Sequence, residues 1–147
     1  MADETQPPKD LIGFLNYYFV TKAPFQIPAE GKELIVKFGP WITVVLLALS
    51  LPALLFLLGV GTALMPFGGV AYATGFGYAA VLLVVELVLL IAALPGLFAR
   101  KMSGWSLLFY GSIVSFVAKL AAGAVLSAII GVIISFYILF QVRSLYK

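Results

Sequence analysis

Of 147 residues, 63% are hydrophobic and only 10% charged, against roughly 25% charged in an ordinary soluble domain. The chain has no cysteine, which excludes disulfides, thiolate metal sites and thiol relays, and no histidine, which removes the commonest general base and haem ligand. Its net charge of +3 sits largely outside the apolar runs and reports membrane orientation rather than nucleic-acid binding.

Met1 to Pro8 is polar and proline-rich and is expected to be a disordered lead. Asp3, Glu4 and Asp10 stand where a signal peptide would be basic, and no apolar stretch follows, so retention of this segment is expected. From Leu11, apolar residues recur at Phe14, Leu15 and Tyr18, with Ile12 and Phe19 alongside. This is helical spacing over about three turns, too short to cross a bilayer. Two placements fit: an amphipathic helix in the membrane surface, or one packed on the protein's own helices.

The prolines of Ala23-Pro24-Phe25-Gln26-Ile27-Pro28 impose extended or turn geometry, and Pro28 is suited to open a second short helix. That helix carries Glu30, Glu33 and Lys37 on one face, and Gly39-Pro40 is expected to break it. Residues 1–40 then form a cytoplasmic lead and 41–147 a four-span membrane domain.

The first span is predicted from about Trp41 to Leu64, uncharged and about 36 Å long, with Pro52 expected to kink it. Met65 to Gly75 reads as a loop rich in glycine and aromatics. The second span, about Phe76 to Leu94, carries a single acid, Glu86, and Pro95-Gly96 ends it. The third, about Trp105 to Leu120, is only about 24 Å long, which admits a re-entrant hairpin with its successor. Ala121-Ala122-Gly123 leads into the fourth, about 124–140, and Arg143 beyond it favours full crossing. The fold class is all-α, an integral membrane four-helix bundle.

Lys32 and Lys37 precede the first span, Arg100 and Lys101 separate the second from the third, and Arg143 and Lys147 follow the fourth. The positive-inside rule puts both termini in the cytoplasm and makes Arg100, Lys101, Arg143 and Lys147 topology and lipid-headgroup residues. Trp41, Trp105, Tyr137 and Tyr146 read as interface anchors.

Gly123, Ser127, Gly131 and Ser135 are small residues at strict spacing of four, with Gly111 and Ser115 continuing the theme on the third span. Lipid tails are as apolar as leucine, so spans associate through close backbone packing, which such stripes permit. A tight hairpin of the last two spans, or a dimer face, is the expectation. Glu86 lies about 15 Å inside its span, near the midplane, where a carboxylate must be paired, protonated or hydrated. Lys119 lies about 6 Å nearer the outer face, within reach of a lysine stem, and Ser115 is a further partner. A bond that locks helix register competes with proton or cation handling.

Ala23-Pro24-Phe25-Gln26-Ile27-Pro28, the run from Leu94 to Lys101 with Gly104-Trp105, Leu107-Leu108-Phe109-Tyr110, and the end from Phe136 to Tyr146 together resemble an uncharacterised family of small four-span bacterial membrane proteins. The likeness covers most of the chain after Leu11 and implies a bacterial inner-membrane protein, with no activity and no site residues to carry over. The small multidrug exporters also have four short spans and one central glutamate, but theirs lies on the first span, and Trp41 to Leu64 holds no acid.

The composition points to a non-enzymatic accessory, scaffolding or assembly component, without cofactor or metal, whose partners are the bilayer and a larger membrane complex or its own copies. Acid–base and nucleophilic catalysis need groups that are largely missing. The alternative is a small oligomeric proton- or cation-linked transporter or channel centred on Glu86.

Overall fold

A computed structural model describes residues 9–121 and 123–147, with the side chains at 53, 57, 65, 70–75 and 79 outside the described set. The lead expected over residues 1–8 and the connecting Ala122 lie outside the described residues. The described chain is all-α, with four helices long and apolar enough to cross a membrane.

Helix α1, Leu11–Asn16, starts where the extended Asp10 accepts a hydrogen bond from Gly13 N at 2.9 Å, and it continues as a π-helical turn, Tyr17–Thr21. Ile12, Leu15, Phe19 and Val20 pack on the protein core, while Leu11, Phe14 and Tyr18 point outward. The short helix therefore lies on the bundle and turns a second apolar face to its surroundings. Gln26 Nε2 donates to Val20 O at 3.2 Å across the following turn, and Tyr137 Oη donates to Phe25 O at 2.7 Å.

Helix α2 runs from Ala29 to Phe98 with one interruption, Gly69, whose φ of 70° and ψ of −175° suit only glycine. Here the structure corrects two expectations. Gly39-Pro40 does not end a helix, and the loop expected over Met65 to Gly75 shrinks to a reversal at Gly69 between helical residues. Helical dihedrals also continue across Pro52, Pro66 and Pro95. In hydrocarbon no solvent competes for backbone groups, so one bond lost at a proline costs less than unwinding the turn. Thr43 Oγ1 reinforces the first of these sites by donating to Gly39 O at 2.9 Å.

Two antiparallel arms result, with Gly61 seated on the ring of Phe76 and Trp41 edge-on to Phe98 at 5.3 Å between centroids. The outgoing arm, Ala29–Leu64, has 36 residues, or about 54 Å. That exceeds the roughly 30 Å hydrocarbon core and leaves Glu30, Lys32, Glu33 and Lys37 beyond it. The returning arm is Phe76–Phe98.

Helix α3, Met102–Ala121, and helix α4, Val125–Val142, are each long enough to cross on their own, which makes a re-entrant hairpin unnecessary. Gly123, at φ 75°, closes α3: its N–H meets Leu120 O at 3.0 Å and Ala124 N meets Lys119 O at 2.9 Å, the Schellman pattern. A short 3-10 turn, Arg143–Leu145, follows α4.

The dense core lies at the end of the bundle where both described ends of the chain converge. Val36, Ala93, Leu97, Trp105, Phe109, Phe140 and Val142 are buried there. Trp105 stacks on Phe109 at 5.6 Å, and its indole N–H donates to Leu139 O at 2.7 Å. This overturns its reading as an interface anchor. At 1% exposure it is a core residue, and Tyr146, at 8%, is another. Trp41, by contrast, is 61% exposed. The C-terminus is clamped by two backbone bonds, Lys147 N to Arg100 O at 2.9 Å and Met102 N to Lys147 O at 2.6 Å. Elsewhere the surface is apolar: Leu49, Leu55 and Phe56 are each at least 68% exposed, as expected of a lipid-facing helix and not of a water-facing one. The protein is a multi-pass membrane protein.

Candidate functional site

Three spans bring polar groups together inside this apolar frame. Glu86 stands ten residues from Phe76 on the returning arm, about 15 Å along its axis. Gly111, Ser115 and Lys119 recur every fourth residue on α3 and so share one face. Gly131 and Ser135 do the same on α4. These faces enclose a cavity of about 120 Å³, lined on its polar side by Glu86, Ser112, Ser115, Lys119 and Ser135.

Ser115 and Lys119 stand with the Glu86 carboxyl group on the wall of this one cavity. The two charged groups stand farther apart than a direct ion pair; among the described residues the ion pair is Arg100 to Glu33 at 2.5 Å. Ser112 turns its proton to its own helix, donating to Leu108 O at 3.0 Å, and so offers the cavity only an acceptor. Such a volume has room for several water-sized molecules among these groups, so charge can be answered by serine, lysine and solvent together.

Glu86, Ser115 and Lys119, singled out in the sequence, are thus brought together. The small-residue stripe behaves differently from its expectation. Gly123 belongs to the turn, where a Cβ would meet nothing within 4 Å, and Ser127 is exposed and donates to Ala124 O at 3.0 Å. Gly131 leaves space for a cation: a Cβ there would stand 3.2 Å from Lys119 Nζ. Gly111 faces Leu89 of the returning arm, not α4. The stripe makes room for the cavity, and a close backbone approach lies elsewhere, between Gly96 and Gly104. Reading Gly96 only as a helix breaker concealed that contact.

Arg100, Lys101, Arg143 and Lys147 gather at the end where the core lies. Arg100 pairs with Glu33 at the surface, where such pairs are worth at most about 1 kcal/mol. Lys101 and Lys147 are exposed. Arg143 is more deeply set, with its guanidinium 5.2 Å from the centre of the Trp105 ring. Burial pushes the Tyr146 phenol above its ordinary value, and the Arg100 charge partly opposes this. No protein-family model, no curated protein and no solved structure matches this chain, so the reading of its function rests on the arrangement of its own residues.

Proposed function

We propose that this chain is a non-enzymatic accessory, scaffolding or assembly component of the bacterial inner membrane, with both termini in the cytoplasm. The observation that carries this reading is the internal placement of Glu86, which shares one cavity between three helices with Ser115 and Lys119. A central polar cluster of that kind sets the register of spans whose apolar faces are otherwise interchangeable. The long outgoing arm, meanwhile, turns most of its surface outward, where lipid or a membrane partner covers it. The orientation is supported by Lys32, Lys37, Arg100, Lys101, Arg143 and Lys147, all at the end where the core packs. A tagged chain extracted from native membranes in mild detergent should bring down a second membrane protein, and Glu86→Gln should retain it. Recovery of the chain alone, from cross-linked and untreated membranes alike, would overturn this role.

A second reading, a proton- or cation-linked transporter or channel, is favoured by the polarity of the same cavity, since acids within spans mark ion pathways. Proteoliposomes discriminate the two. A pH or cation gradient that decays faster than in empty vesicles, and stops doing so in Glu86→Gln, supports transport; unchanged decay supports the accessory role.

A further inference from the structure

A second cavity, of about 370 Å³, opens at the basic end, where α1, the start of α2, the start of α3 and the end of α4 meet. Asn16, Lys32, Gln141, Arg143, Ser144 and the phenol of Tyr146 supply its polar lining, and among the described residues no carboxylate lines it. Gln141 is 1% exposed, an unusual burial for an amide. Its Nε2 donates to Phe19 O at 3.0 Å and holds the N-terminal segment down, but its Oε1 is buried with no hydrogen-bond partner. Arg143 Nε is likewise buried and unpartnered, while its guanidinium is braced over Trp105. Buried polar groups are nearly always satisfied, so an orphaned acceptor and an orphaned donor beside one cavity call for a polar molecule there, water or a larger ligand. A ligand matched to these groups would accept from Arg143 Nε, carry negative charge opposite Arg143 and Lys32, and donate to Gln141 Oε1.

We infer that this cavity binds a glycerophosphate group, its phosphate held by Arg143 and Lys32 and a glycerol hydroxyl donating to Gln141 Oε1. The site sits just beyond the ends of the apolar helices, at the level of lipid headgroups, and Met102 and Phe140 form apolar wall beside it. A phosphatidylglycerol headgroup meets all three requirements there, and so does free glycerol phosphate. This assignment is independent of the Glu86 cavity and of the accessory role.

Trp105 lies beneath Arg143, so its emission reports occupancy, and Trp41→Phe removes the other tryptophan. In neutral detergent, the full-length Trp41→Phe protein should bind short-chain phosphatidylglycerol saturably. Phosphatidylmethanol, of equal charge but without hydroxyls, should bind about tenfold more weakly. Gln141→Leu should abolish that preference, and Arg143→Lys should weaken both lipids. Should Gln141→Leu fail to fold, Lys32→Gln serves in its place, weakening both lipids while leaving the preference intact. Saturation by glycerol phosphate at the same concentrations as the lipid identifies a soluble ligand; saturation by the lipid alone identifies the headgroup. Equal binding of the two lipids by the Gln141-containing protein, or no saturable change, overturns the inference.

Discussion

Gly96 and Gly104 face each other with no side chain between them: a Cβ built on Gly96 would stand 2.7 Å from Gly104 Cα. The contact joins the returning arm of α2 to the start of α3 across the Arg100 turn and lets Trp105 reach the core. Each backbone there occupies the space a side chain would take, and neither can yield as a flexible side chain would.

Gly104→Ala should therefore lower stability in detergent by about 1–3 kcal/mol, read as a fall in Tm, because the added methyl group meets backbone. Gly59→Ala is the control: nothing lies within 4 Å of its Cβ position, and alanine favours the helix by about 0.5–1 kcal/mol. Equal losses in the two variants would show that the Gly96–Gly104 approach is not what holds the arms together.

A double-mutant cycle tests the Glu86 cavity. Glu86→Gln leaves Lys119 without a counter-charge in the cavity, and Lys119→Met leaves the acid without its cation. Each single change should destabilise, and the pair together should cost less than the sum, with a coupling of about 0.5–3 kcal/mol in thermal or denaturant unfolding. Strict additivity would mean that the two groups do not communicate through the cavity.

Topology follows from the basic end. Reporter fusions at Lys22, Arg100 and Lys147 are expected to report cytoplasm, and a tag at Gly69, on the reversal between the arms, the opposite side. A reporter at Arg100 that reads the far side would invert the whole arrangement.

Tyr146 makes stability fall at high pH. Its phenol is raised by burial, so the folded protein keeps the proton above pH values at which the unfolded chain releases it. The unfolded state then binds fewer protons, and the contribution of Tyr146, complete below a pH of about 10, is lost as pH rises through its folded value. Tm measured from about pH 8 to 11 should decline more steeply for the wild type than for Tyr146→Phe. Parallel declines would show that the phenol ionises alike in both states.

Much of the architecture is legible in the order of residues. Apolar runs between basic clusters mark the spans, because hydrocarbon leaves the backbone no partner but itself and water-loving charge no place to stay. Glu86, Ser115 and Lys119 are recognisable for the same reason: a polar group in a span needs an answer nearby, and helical spacing says where to look. Which face of each span packs is another matter. In water, polarity separates the inside of a helix from its outside; here both sides are apolar, and periodicity loses that information. Trp105 therefore reads as an interface anchor and is core, Gly131 reads as a helix contact and is space for a cation, and Gly96 reads as a breaker and meets the backbone of Gly104. Only the tertiary structure, by bringing α1 against the end of α4, buried Gln141 and placed Arg143 beside it. Their unmet hydrogen bonds exist only once those distant segments meet.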